Sequence, residues 1–264
     1  MQGVDVIIFG GQSNMQGESE SCSDHSVVLN AWEYKYLSDT LVPLKNPVGE
    51  NIRPDKTEGV PVVAGTQASQ WVKEHTLGAA CYGNTSLIPS FCRAYCEQTG
   101  KNVVAIPAAR GGTLISHWLS GTVGYEVLKE KVQAGLKKAK QEFFIERIYF
   151  VWLQGESDAV VGSSRQYYKD MLNVLQESLE KDIHIEKFCL IRVGKFAGDE
   201  RDWEIMHAQS EICRENPKFI MLTEIAADLC EQAVYMNPNV AGHYSAAGLE
   251  LLGKTAGAAL ASQQ

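Results

Sequence analysis

Four short polar clusters in this chain carry residue types that do chemistry together. They are Gly10-Gly11-Gln12-Ser13-Asn14-Met15, Ala109-Arg110-Gly111-Gly112-Thr113, Gln154-Gly155-Glu156-Ser157-Asp158 and Gly242-His243-Tyr244-Ser245. A serine, a histidine, a pair of glycines and a side-chain amide are the parts of an acyl-transfer site. Ser13 follows two glycines that permit a tight strand-to-helix turn, which puts its hydroxyl at a helix N-terminus where backbone N–H groups point outward. His243, brought to it, would act as general base, taking the serine proton and returning it to the leaving alcohol. The N–H groups of Ser13 and Gly111, with Gly112 beside it, and the side-chain amide of Gln154 are candidate oxyanion donors. One such donor is worth about 3 kcal/mol in the transition state.

Each part also has a plainer reading. A serine after glycine is a common N-cap, a histidine just before a helix can be a capping or surface residue, and a glycine pair can be only a turn. A phosphate cradle is excluded because no Lys-Ser/Thr follows the first glycines. Met15, two residues after Ser13, rules out the G-x-S-x-G elbow. Only the four clusters taken together favour chemistry.

The elements that must position them are legible as alternating runs. Apolar, β-branched stretches at 4–9, 103–107, 147–153, 186–193 and 218–225 predict strands, each buried on both faces. Helices are expected over 85–99 with Gly100 as C-cap, over 124–143, and from a Ser164 cap to about 179. Two more are expected, one from an Asp202 cap through Ile212 and one over 245–260. Strands alternating with helices predict an α/β chain, a three-layer α/β/α sandwich with a five-stranded parallel sheet of flavodoxin-like type. In such a sheet the site lies outside the carboxyl ends of the strands, where the polar clusters fall. The stretch at about 16–83, broken by Pro43, Pro47, Pro54 and Pro61, reads as an irregular insertion around the site. With no internal repeat or linker, residues 1–264 are expected to form a single domain.

The ordered set of clusters resembles the SGNH hydrolase superfamily, and within it the carbohydrate acetylesterases of family 6 and the sialic-acid O-acetylesterase-like proteins, which include acetylxylan esterase relatives. The residues that carry the resemblance are Gly-Gln-Ser-Asn-Met at 11–15, Gly-Gly-Thr at 111–113 with Trp118 beyond, Gln-Gly-Glu-Ser-Asp at 154–158, and His-Tyr-Ser-Ala-Ala-Gly at 243–248. The resemblance implies hydrolysis of an acetyl ester on a sugar such as a xylo-oligosaccharide or sialic acid, with Ser13 as nucleophile and His243 as base. Gly111 and Gln154 are implied as oxyanion donors, and no metal or organic cofactor is implied. In one respect the chain departs from the superfamily, which places an aspartate three residues before the histidine; here that position is Val240. A third group normally fixes the imidazole tautomer. Glu156 is the leading substitute, ahead of a backbone carbonyl near Val240 or Asn239, with Asp158 and Asp228 behind; Glu156 has an equal claim to a purely structural loop contact. Without the aspartate, a carbohydrate-binding protein that has lost catalysis stays open, as does a lipase- or thioesterase-like activity.

Gln12, Arg110 and Trp118 are the candidate substrate contacts. An indole face stacks on a sugar ring, and a guanidinium fork binds a carboxylate of an acidic sugar. The alternatives are a core tryptophan and a structural salt bridge. Composition limits the partners: 24 Lys and Arg against 32 Asp and Glu give a net charge of −8, which lacks the basic footprint of a nucleic-acid binder. No uncharged apolar run reaches the length of a membrane span, so the expected partner is a small-molecule or oligosaccharide acetyl ester. Seven cysteines without a C-x-x-C pair suggest a reducing compartment. The opening residues show no leader pattern, and a cytoplasmic location is expected, although a start trimmed of its leader would read the same way.

Overall fold

The computed structural model describes residues 1–21, 24–50 and 85–263. Seven strands form one sheet: β1 (Gly3–Gly11), β2 (Ala31–Lys35), β3 (Thr40–Pro43), β4 (Val103–Ala109), β5 (Phe144–Leu153), β6 (Lys187–Ile191) and β7 (Phe219–Thr223), in the order β3-β2-β4-β1-β5-β6-β7. The five strands read from the sequence are all present. Their order, β4-β1-β5-β6-β7, is the flavodoxin-like one, with the topological switch beside β1. The sheet has seven strands rather than five because a hairpin extends it. Within the expected irregular stretch, β2 pairs parallel with β4 and β3 returns antiparallel to β2. The hairpin escaped the hydrophobic pattern because β2 buries a carboxylate. Glu33 points inward, paired with Lys35 at 3.0 Å and accepting the Gly49 N–H at 2.6 Å. The rest of the expected insertion, 51–83, lies outside the described residues, as do Cys22 and Cys81.

The helices are α1 (Ser13–Gln16), α2 (Ile88–Thr99), α3 (Val123–Glu142), α4 (Glu156–Val161), α5 (Arg165–Ile183), α6 (Glu200–Glu215), α7 (Ala226–Leu229) and α8 (Ala246–Ala261). Strand pleating puts successive side chains on opposite faces. Phe9 of β1 meets Phe91 of α2 edge-on at 5.2 Å. Ile106 of β4 pairs in register with Ile8 rather than Phe9, and it faces α3 at Gly135. The sheet is therefore covered by α2 on one side and α3 on the other. Helix α8 lies against α2, where Gly253 and Gly257 let its backbone approach residues 87–91.

Most caps fall where the sequence places them. Gly100 ends α2 in the left-handed conformation, and the Ser164 and Ser245 side chains accept from the third residue beyond them. The α6 cap is a correction: Asp199, not Asp202, caps this helix. Asp202 sits buried in the first turn and faces backward, accepting the N–H groups of Phe196, Ala197 and Gly198 at 3.0, 2.9 and 2.8 Å.

Candidate active site

The site forms where β1 ends. Gly11 has a φ of 139°, and a Cβ there would run into the Leu153 carbonyl oxygen of β5. Only glycine permits this turn. The turn leads directly into α1, whose first residue is Ser13, almost fully buried. From the other end of the chain, the loop before α8 brings His243 to it. Its Nε2 lies 2.8 Å from the Ser13 Oγ, and its Nδ1 lies 3.0 Å from the carbonyl oxygen of Ala241. A carbonyl can only accept, so this contact places the ring proton on Nδ1 and leaves the Nε2 lone pair for the serine hydroxyl.

The group that orients the imidazole is therefore a main-chain carbonyl, and Glu156 is not on the ring. Glu156 is buried at the start of α4, where its Oε1 accepts from Asn14 Nδ2 at 2.9 Å and its Oε2 has no partner among the described residues. Burial raises its pKa above the usual carboxylate value, against the lowering effect of the Asn14 hydrogen bond and the nearby His243.

Asn14, given no role from the sequence, joins the two halves of the site. Its Nδ2 also reaches the Gly242 carbonyl at 3.4 Å, and its Oδ1 accepts the Tyr244 N–H at 3.2 Å. Two further contacts tie the chain after α1 to the histidine loop. Asn237 Nδ2 donates to the Glu18 carbonyl at 2.9 Å, and the Ala246 N–H at the start of α8 donates to Glu20 at 3.0 Å. A carboxylate at a helix N-terminus is favourably placed. The Glu18 side chain lies at the mouth, with its Oε2 3.7 Å from His243 Nε2.

Gly111 lies beside the serine: a Cβ built on it would stand 3.4 Å from the Ser13 Cβ. Its N–H donates to the Gln16 side-chain oxygen at 3.0 Å, so an oxygen acceptor already occupies that direction. Gly112, with a φ of 70°, makes the exposed turn next to it.

Three expected contacts are placed elsewhere. Gln154 presents no free N–H to an oxyanion, because its amide nitrogen donates to the Thr113 carbonyl at 2.8 Å and to Asp158 Oδ2 at 2.7 Å. Its Oε1 accepts from Tyr168 at 3.0 Å, and the whole side chain is buried. Gln12 is equally buried, its Oε1 taking the Ser157 N–H at 3.3 Å, so it braces two loops and does not face substrate. Trp118 is fully buried, donating to Thr113 Oγ1 at 3.0 Å and packing edge-on against Trp152 at 5.6 Å. The short helical turn that carries it is drawn inward where Ile115 N–H donates to Asp158 at 2.8 Å. Arg110 is half-buried next to Gly111, and no acceptor among the described residues pairs with its guanidinium.

Residues 3–261 match the family described as "Carbohydrate esterase, sialic acid-specific acetylesterase". The chain belongs to that family. As a member it is a carboxylic ester hydrolase acting on carbohydrate esters. A probable carbohydrate esterase of Arabidopsis thaliana is 22% identical to this esterase over 201 residues, 73% of this chain and 69% of that protein. A solved Arabidopsis thaliana structure matches at 16% identity with a TM-score of 0.69, covering 98% of both chains. NanS matches at 15% identity and a TM-score of 0.58, covering 97% of this chain and 96% of its own. A carbohydrate acetylesterase from Xanthomonas citri matches at 15% identity and 0.54, covering 98% of this chain and 57% of the other. A lipase/acylhydrolase from Enterococcus faecalis, at 13% identity and 0.52, shares the fold across 100% of this chain and 97% of its own.

Among the described residues of this esterase, no cluster of three or more His, Cys, Asp or Glu side chains is placed to hold a metal ion. No helix among them is long and apolar enough to cross a membrane.

Proposed function

We propose that this esterase removes acetyl groups from an O-acetylated sugar by a covalent mechanism on Ser13 with His243 as base. The observation that carries the reading is the pairing of Ser13 Oγ and His243 Nε2 at 2.8 Å with Nδ1 held by Ala241. The Ser13 oxygen attacks the acetyl carbonyl carbon while Nε2 takes its proton. The carbonyl oxygen becomes an oxyanion that accepts from the Ser13 and Gly111 N–H groups, displacing the Gln16 oxygen from the latter. Collapse breaks the bond to the sugar oxygen, which leaves with the proton from His243. Water then attacks the acetyl-serine, His243 takes the water proton and returns it to Ser13, and acetate departs. Glu18 at the mouth and the buried Glu156 supply negative potential for the imidazolium formed in each half-reaction.

The family description points to acetylated sialic acid as the first sugar to try, with acetylated xylo-oligosaccharides second. Arg110 beside Gly111 suits a sugar that carries a carboxylate. The test is acetate release from both sugars by wild type, Ser13→Ala and His243→Ala. Turnover by wild type and a fall to background in both variants supports the reading. Ser13→Ala working at the wild-type rate overturns the nucleophile.

A further inference from the structure

With Trp118 and Gln12 withdrawn into the protein, a different aromatic residue stands at the mouth of the site. Phe196 lies in the loop after β6, at the same carboxyl edge of the sheet as Ser13. Its ring meets the His243 imidazole edge-on, with centroids 5.7 Å apart and planes at 78°. The residue is only half-buried although its ring contacts the base. Gly242, with a φ of 74°, makes room for it, since a Cβ there would collide with the ring.

The loop that carries Phe196 is tied to the first turn of α6 through its backbone. Three successive N–H groups, those of residues 196 to 198, converge on the buried Asp202 carboxylate. A carboxylate that accepts several backbone N–H bonds fixes the loop geometry and is itself satisfied by it. Such bracing suits a side chain whose position matters. A sugar ring presents an apolar C–H face that packs on aromatic rings, and the leaving group must lie on the side of His243, because the imidazolium protonates its oxygen.

We infer that Phe196 is a specificity-determining residue, forming the wall against which the pyranose ring of the leaving group packs beside His243, and that Asp202 is the positioning residue that holds it there. The inference rests on the Ser13–His243 reading and deepens it.

Steady-state kinetics on an acetylated methyl pyranoside and on ethyl acetate, which has no ring, test it. Phe196→Ala is expected to lower kcat/KM on the sugar ester about tenfold, chiefly through KM, and to lower it at least fivefold less on ethyl acetate. Phe196→Tyr restores the sugar preference. Asp202→Asn, where it folds by circular dichroism, shifts the same sugar-to-ethyl ratio in the same direction; where it does not, the Phe196 variants decide. Equal losses on both esters, or no loss on the sugar, overturn the inference. Ser13→Ala in parallel separates the two readings. If that variant keeps its turnover, the covalent mechanism fails. If it is inactive while Phe196→Ala keeps the wild-type ratio, only the sugar wall fails.

Discussion

Replacing Asn14 by alanine should uncouple the histidine loop from the Ser13 turn. The amide donates to Glu156 at 2.9 Å and accepts from the Tyr244 N–H at 3.2 Å, with a longer contact to Gly242. A hydrogen bond to a buried charged group contributes about 1.5–3 kcal/mol, and a buried N–H left without an acceptor costs about 1–3 kcal/mol. Incomplete additivity puts the combined loss at about 2–5 kcal/mol, a large fraction of the ~5–15 kcal/mol that holds a domain folded. Glu156 adds to the damage, because its other oxygen has no partner among the described residues and the group is buried. Activity should fall further than stability accounts for. The altered segment carries His243, the base in the proposed mechanism, and a shift of about 1 Å in such a group lowers the rate about 100-fold. The assay pairs urea unfolding with kcat on a small acetyl ester, measured where the variant is still folded. A midpoint within error of wild type together with kcat within threefold would falsify the clamp.

The remaining expectations bear on residues whose placement differs from their sequence reading. Gln154→Ala should lower the urea midpoint by an amount equivalent to roughly 3 kcal/mol, because the amide braces Thr113, Asp158 and Tyr168; an unchanged midpoint with kcat down 100-fold would restore it as an oxyanion donor. Trp118→Phe should cost about 1–3 kcal/mol in the core and leave KM for an acetylated sugar unchanged, so a tenfold rise in KM without loss of stability contradicts its burial. Burial raises the Glu156 pKa above 4.5 in the folded state. The folded protein then binds the proton more tightly than the unfolded chain, so this group's contribution to stability is full below about pH 4.5 and is lost as pH rises through the folded pKa. Glu156→Gln keeps an oxygen for Asn14 and has no charge to bury. It should be more stable than wild type at pH 8, with the difference shrinking toward pH 4.5; a variant less stable at pH 8 refutes this account.

The parts of the site that were legible in the sequence are those fixed by where strands stop. Ser13 after Gly10-Gly11 and His243 before the Ser245 cap meet because a parallel sheet gathers its carboxyl ends. Length and polarity could not separate β2 from a loop, since a strand that buries Glu33 beside Lys35 lacks the apolar signal of its neighbours. Trp118 and Phe196 show the same difficulty at the mouth. Aromatic character is visible in a sequence, but which side of a turn it faces is decided by distant carboxylates, Asp158 for one and Asp202 for the other. Gln154 has the right chemistry for an oxyanion donor, yet both its hydrogens are committed, and commitment is a property of neighbours. Asn14 alone had a usable signal, standing next to Ser13 with a side chain able to donate and accept at once.

The carbonyl of Ala241 makes the orienting function of this site independent of any side chain. A carboxylate in that role can be deleted by one codon change, whereas every residue type placed at 241 still supplies the oxygen. Position 240, where the resemblance to the SGNH hydrolases implies an aspartate, is thereby free of that constraint, and its half-exposed valine has no orienting task to perform. The vulnerability passes to residues that shape the turn, Gly242 with its left-handed backbone and Asn237, whose side-chain oxygen accepts the Asn239 N–H at 2.8 Å. Mutations that disturb the Ser13–His243 pairing without touching either residue should therefore collect in that turn, and a carboxylate introduced at 240 would be a redundant partner for a ring already held.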